Sequence, residues 1–153
     1  MAFNFNKLTL KSQEALQTAQ GIALDNSNQI VEPEHLLMAL LQDRGSIVNS
    51  ILYKLDVNPE LLQAQVKDLI NRLPAVSGSN INNISISNDL SNVLDSAFKQ
   101  ASEMKDDYVS VEHIFIGLSE NKKSKVGELL KSYNVTKDRI LIVLKDVRGA
   151  GRV

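Results

Sequence analysis

Apolar residues recur along most of this chain at intervals of three and four, with polar residues between them, the pattern of amphipathic helices. Leu16, Ala19, Ala23 and Leu24 mark one helical face, and Leu36, Leu37, Leu40 and Leu41 mark the next. Ile47, Val48, Ile51, Leu52 and Leu55 predict a third helix, and Leu61, Leu62, Val66, Leu69, Ile70 and Leu73 a fourth. Pro33 and Pro59 suit first helical positions, Asn58 and Thr136 suit N-caps, and Gly45-Ser46 separates the second helix from the third. No segment of useful length alternates apolar and polar like a half-buried strand, apart from Ile81 to Ile86 in a polar stretch. The expected fold class is all-α.

Sliding the sequence against itself shows a repeat. Glu34-His35 recurs as Glu112-His113, an offset of 78. At that offset, without a gap, Leu16 lies on Leu94, Ala19 on Ala97, Val31 on Val109, Leu40 on Leu118, Val48 on Val126 and Val57 on Val135. Two copies are too few for a solenoid, which needs several repeats to build a continuous core. The expectation is a single domain over 1–148, built as a tandem of two four-helix motifs with pseudo-two-fold symmetry. Repeat one covers about 9–73 and repeat two about 87–148. Between them, 74–86 is rich in Ser, Asn and Gly and reads as a surface connector without helix; 149–153 reads as the start of a linker.

Charge and composition then narrow the function by exclusion. With 17 basic and 18 acidic residues the net charge is -1, so no global field draws in phosphate backbones or anionic lipids. Cysteine is absent, which removes disulfides and thiolate chemistry and suits a reducing compartment. No stretch approaches the roughly 18 apolar residues of a membrane span, and the opening residues lack a signal-peptide pattern. A cytoplasmic location is expected, with no membrane and no nucleic acid as partner.

Three features invite chemistry. Gly117-Leu-Ser-Glu-Asn-Lys-Lys-Ser124 is a near miss to a P-loop, with Lys122 where the second glycine belongs and a helix before it instead of a strand. Glu34-His35 and Glu112-His113 resemble ligand or acid-base pairs. Adjacent helical residues point about 100° apart, however, and the chain has 2 histidines in all, so neither pair clamps a metal easily. The structural alternative places each glutamate in a first helical turn, favourable for the dipole, and packs the histidines where the halves meet. No Gly-x-Ser-x-Gly elbow is present. A small helical DNA-binding protein stays open on helix length alone, but Lys67-Asp68 and Lys137-Asp138 cancel on its candidate recognition faces. The reading left is a binding domain with no catalytic residue, no metal and no cofactor, a metal-dependent protein being the other alternative.

The run from Asn6 to Gln20, followed by Val31-Glu-Pro-Glu-His-Leu-Leu37, resembles the Clp N-terminal domain family, and its ClpB branch more than the ClpA or ClpC branches. Asp146-Val-Arg-Gly-Ala-Gly-Arg-Val153 is similar to the junction leading into that branch's first ATPase module. The resemblance implies a non-catalytic substrate-recognition domain of a ClpB-type AAA+ chaperone, binding unfolded or aggregated proteins and extended peptides for ATP-driven disaggregation. ATP and Mg would belong to the parent's other modules; the parent would be a hexamer, the isolated domain a monomer. The alternative within the family is an adaptor- or substrate-docking domain of a protease-linked unfoldase of the ClpC or ClpA type. The implied polar substrate contacts are Thr9, Asp106 and Glu112, around a groove between the first helix and the second half. The implied aliphatic groove positions fall on Leu94, Gln100 and His113, of which only Leu94 is aliphatic here.

Overall fold

A computed structural model describes residues 4–76 and 84–148. The expected linker start at 149–153, the middle of the connector at 77–83 and residues 1–3 lie outside the described residues. After a short 3-10 turn, Phe5–Lys7, the first half carries α1 (Leu10–Asp25), α2 (Pro33–Gln42), α3 (Ile47–Lys54) and α4 (Pro59–Asn71). The second half carries α5 (Asn88–Glu103), α6 (Val111–Glu120), α7 (Lys125–Ser132) and α8 (Lys137–Arg148). The bounds of α5, α6 and α7 lie 78 positions beyond those of α1, α2 and α3, and α8 starts 78 beyond α4.

The equivalence reaches the chemistry of the helix ends. Each helix leaves its first amides without an intrahelical acceptor, and short polar side chains supply one. Thr9 accepts from the Ser12 N–H and its counterpart Ser87 from Leu90. Ser46 accepts from Asn49 and Ser124 from Gly127. Asn58 accepts from Glu60, and Thr136 from Arg139. At the other end, α1 and α5 stop on left-handed Ser27 and Lys105, and α3 and α7 on Asp56 and Asn134, with φ of 59 to 60°. The next amide turns back onto the helix, as in Asn28 N–H to Ala23 C=O at 2.8 Å and Asp106 N–H to Ala101 C=O at 2.9 Å.

The halves share one core because α2 and α6 are buried nearly all round: nine of ten residues in α2 and eight of ten in α6. A helix apolar on every side needs neighbours on every side. Accordingly α2 packs on α1, α3 and α4 of its own half and on α5, α6 and α7 of the other, while α6 reaches α1, α2 and α3. Leu36, Leu37, Leu41, Ile114, Phe115 and Ile116 fill the centre. The Tyr133 hydroxyl donates to Gln65 Oε1 and ties the end of α7 to α4.

Two short parallel strands join the halves, one of them at the end of the connector, whose described residues carry no helix. β1 (Ile30–Val31) pairs with β2 (Ser85–Ile86), in the register Ile30 to Ser85 and Val31 to Ile86. The counterpart pair is Leu8 with Val109, where the Thr9 N–H donates to the Val109 carbonyl at 3.0 Å and the Val109 N–H to Lys7 at 2.7 Å. Each half thus lends the residues before its first helix to the other half. The alternating stretch from Ile81 to Ile86 contains β2, but the other paired segments are too short to show a period and form where the halves dock.

Small residues set how closely the layers approach. A Cβ at Gly117 would lie 2.6 Å from the Val93 carbonyl oxygen, so its absence lets α5 lie tight on α6. The equivalent residue of α2 is Ala39, whose Cβ rules out the same close approach by α1. A Cβ at Gly127 would lie 1.9 Å from the Asn121 oxygen; the counterpart, Asn49, instead donates from its side chain to the Leu41 and Asp43 carbonyls and props the α2–α3 turn open. Gly127→Ala is therefore expected to cost about 1–3 kcal/mol through overpacking, whereas Gly21→Ala, with nothing within 4 Å, should gain about 0.5–1 kcal/mol from helix propensity. Urea melts of the two variants check this, and a stabilised Gly127→Ala contradicts it.

Candidate functional site

The larger clearance in the first half opens as a groove of about 920 Å³. Its walls are the N-terminal part of α1, the α2–α3 turn and the start of α6. Ala15, Ala39 and Leu40 form an apolar floor, and Leu10, 76% exposed, stands at the rim. Thr9, Ser46 and Ser110, the residues that begin α1, α3 and α6, all line it, so three helix N-termini meet at its edge. Lys11 reaches Glu14 at 3.9 Å and Asp43 at 3.7 Å across the opening, and such exposed pairs contribute little stability.

Of the six sequence-predicted positions, Thr9 and Glu112 line this groove together. Thr9 is also structural: beyond its cap, its hydroxyl donates to Ser12 Oγ at 3.0 Å, and Ser12 in turn donates to the Val109 carbonyl. Glu112 is half of an ion pair, since Arg148 Nε donates to its Oε2 at 3.0 Å. Asp106 has a fully buried side chain, contacted through Oδ2 by His113 Nε2 at 2.7 Å and Arg148 Nη1 at 2.9 Å. His113, also fully buried, lies behind Glu112 and not at the surface. Leu94 lies on the opposite side of α1, in a second groove of about 290 Å³ with Leu16, Ile84, Ile86 and Leu90. Gln100 is buried in α5 and lines neither of these two grooves.

The histidines act within their own halves. In α6 the Ser110 N–H donates to His113 Nδ1 at 2.8 Å, and in α2 the Glu32 N–H donates to His35 Nδ1 at 2.9 Å. A backbone amide can only donate, so each Nδ1 is the acceptor and each Nε2 carries the proton. His35 then donates to Asn28 Oδ1 at 2.9 Å, and His113 donates to Asp106. Both rings occupy the third helical position and complete a capping box, where Glu or Gln is usual. Hydrogen bonding therefore gives each ring a capping role in its own half, on the two central helices that pack across the halves.

The difference between Asn28 and Asp106 follows from their third partners. Asn28 must also donate, through Nδ2 to the Pro74 carbonyl at 3.0 Å, which an amide can do and a carboxylate cannot. Asp106 faces a guanidinium and needs the charge. Burial pushes His113 below the ordinary imidazole range, against the upward pull of its Asp106 hydrogen bond and of the Glu112 and Asp106 charges. Burial alone pushes His35 down to about 4. Glu34, the counterpart of Glu112, is raised by burial, with Glu32 and Asp89 adding to it and a backbone hydrogen bond opposing. Among the described residues no group of three or more His, Asp or Glu side chains could hold a metal ion, and no helix is long and apolar enough to cross a membrane. The P-loop-like run begins inside α6 and ends at the cap of α7, and within it the Lys122 and Ser124 amides are spent on turn bonds to the Glu120 and Asn121 carbonyls.

Sequence reasoning missed Arg148, Leu10 and the α2–α3 turn as parts of the site. Arg148 did carry a signal: the offset of 78 sets it on Ile70, a buried core residue of repeat one.

A pair of four-helix units sharing one core, with a groove at their junction, is the architecture of a Clp N-domain. The chain matches the family described as Clp repeat (R) N-terminal domain over residues 7–133, and it belongs to that family. Among its relatives are the chaperone protein ClpB of Bacillus cereus, 36% identical over 152 residues, and that of Nitratidesulfovibrio vulgaris, 37% identical over 153 residues. Each match covers 98% of this chain, which spans only 17% and 18% of those relatives. The Hsp104 N-terminal domain from Candida albicans has the same fold, with a TM-score of 0.82 at 20% identity over 95% of this chain and 94% of that one. So has a ClpV N-domain solved in complex with a VipB peptide, with a TM-score of 0.67 at 22% identity over 91% and 88% of the two chains.

Proposed function

We propose that this chain is the substrate-recognition domain of a ClpB-type chaperone, and that the groove between α1, the α2–α3 turn and the start of α6 receives segments of unfolded protein. The observation that carries this is the groove itself: an open, apolar-floored channel whose rim offers polar caps to an extended backbone. The ClpB relatives and the peptide-bound ClpV neighbour support the same class of ligand. The domain has no catalytic role and no cofactor in this proposal; ATP hydrolysis, and assembly into a ring, belong to the rest of the parent.

The geometry changes what the groove selects. Two carboxylates facing a client would favour basic or amide-presenting segments. With Glu112 paired and Asp106 buried, the exposed chemistry is mainly Leu10 and the alanine-leucine floor, so apolar segments are favoured. One shallow groove should bind at roughly 1 μM to 1 mM, and a ring of such domains can raise avidity through effective concentration.

Leu10→Asp and Thr18→Trp test this, because both side chains are exposed groove residues and neither caps a helix. Titrated with reduced, carboxymethylated lactalbumin, each is expected to bind about tenfold more weakly than wild type, about 1.4 kcal/mol, with an unchanged melting temperature. Wild-type affinity in both folded variants would place client binding elsewhere on the domain.

A further inference from the structure

We infer that Arg148 is a positioning residue for the groove: it sets the Glu112 carboxylate in the groove wall and so couples that wall to the end of α8, where the chain leaves the described fold. The inference rests on the groove reading above for its effect on clients, but its geometry stands independently. Arg148 bridges two carboxylates with separate donors, Nε to Glu112 at 3.0 Å and Nη1 to Asp106 at 2.9 Å, and its side chain is 11% exposed. Its Nη2 is buried and has no hydrogen-bond partner among the described residues, so there these two carboxylates hold the guanidinium. The partners lie 36 and 42 positions away in sequence, at the start of α6 and just beyond α5.

The repeat supplies an internal control. In the first half the equivalent of Arg148 is Ile70, 3% exposed, and the equivalents of Glu112 and Asp106 are Glu34 and Asn28. The four-helix unit therefore folds with an isoleucine at this place and an amide under its histidine. Replacing a whole buried ion pair by apolar residues is often neutral for stability, whereas removing the arginine alone takes the counter-charge from the buried Asp106, so Arg148→Met is expected to cost stability. The charged version occurs in the half whose α6 start lines the groove. Lysine would not replace it, since a single ammonium on a flexible stem lacks the planar fork that meets two fixed acceptors.

The arrangement also fixes direction. Glu112 follows Ser110, whose N–H is held by His113, and His113 is held by Asp106, which Arg148 also grips. A pull on the end of α8 that displaces Arg148 would release Glu112 toward the groove and leave it an unpaired acid. Client retention would then depend on what the chain beyond α8 is doing.

The test is a double-mutant cycle in the 153-residue chain, with Arg148→Met, Glu112→Gln and the double variant, and with Arg148→Lys as the charge-retaining control. Binding of reduced, carboxymethylated lactalbumin is followed in each folded variant, and the position of the Glu112 side chain is read at neutral pH from the NMR chemical shift of its carboxyl carbon wherever Glu112 is kept. The expected result is a displaced Glu112 carboxyl signal in Arg148→Met and Arg148→Lys, and a change in affinity of about threefold to tenfold in Arg148→Met that disappears when Glu112 is already Gln. An undisplaced Glu112 signal in Arg148→Met overturns the inference whatever the binding data show, and so do independent, additive effects in the cycle. Lost binding in Leu10→Asp alongside an undisplaced Glu112 signal would leave the groove standing and remove Arg148 from it. A displaced signal with wild-type binding in Leu10→Asp and Thr18→Trp would do the reverse to the groove reading. If Arg148→Met does not fold, the Glu112 signal in Arg148→Lys decides in its place: a displacement supports the inference and an undisplaced signal overturns it.

Discussion

Leu118→Ala is expected to lower folding stability by about 3–5 kcal/mol, and Leu40→Ala by about 2–3 kcal/mol, although the repeat makes the two residues equivalent. Both sit on the inner face of a central helix and both are buried, at 0% and 2% exposure. Truncating either removes the same apolar area from the core. The difference lies in the space left behind. Around Leu118 the neighbours close in on every side, including the tight α5–α6 contact over Gly117, so the lost atoms leave an enclosed cavity. Leu40 lines the floor of the groove, where the vacated volume opens to solvent and water can fill it. The cavity term that adds to the transfer cost is therefore smaller there. Chemical denaturation with unchanged m-values checks the order; Leu40→Ala costing more than Leu118→Ala would mean that the groove floor is not where the structure places it.

Acid should weaken the fold before carboxylates protonate in bulk, and His35 is the main reason. Its ring is held at about 4 by burial, against an ordinary value of 6.5. Between those values the unfolded chain takes up a proton that the folded protein refuses, so stability is complete above pH 6.5 and falls as pH drops toward 4. The window corresponds to about 3 kcal/mol. His113 is lowered as well and acts in the same direction, with Asp106 and Glu112 reducing its share. Glu34 acts oppositely. Its carboxyl is raised, so the folded state binds a proton more readily than the unfolded one and regains some stability at the acid end. Urea midpoints of wild type at pH 7.5 and 4.5 should differ accordingly, and in His35→Gln the difference should shrink to less than half. An equal pH dependence in both proteins would show that His35 is not the group responsible.

Much of the fold could be read along the chain because its signals are local. The three-and-four spacing, Pro33 and Pro59 at first positions, and the polar caps each depend on residues within a turn of one another. The helix ends were harder to see, because Ser27, Asp56, Lys105 and Asn134 hold the left-handed positions where glycine is the usual signal. Thr9 and Glu112 were legible as groove residues through the family resemblance. Asp106 and His113 came with them by the same route, yet the structure uses both as buried support behind the wall.

The sequence by itself determined the all-helical class, the eight helices and their twofold repetition, since a helix forms on the side chains it carries and a copied pattern copies the helices. Only the tertiary structure decided how the copies join and what they do differently. Leu8 pairs with Val109 and Ile30 with Ser85 across the halves, and Arg148 joins Glu112 to Asp106, through contacts between residues tens of positions apart that leave no period in the chain. The groove depends on still less: a methyl at Ala39 where the other half has Gly117, and an amide at Asn49 where it has Gly127. Such differences of a few atoms act on the distance between packed layers, a quantity that exists only once the two halves have closed on each other.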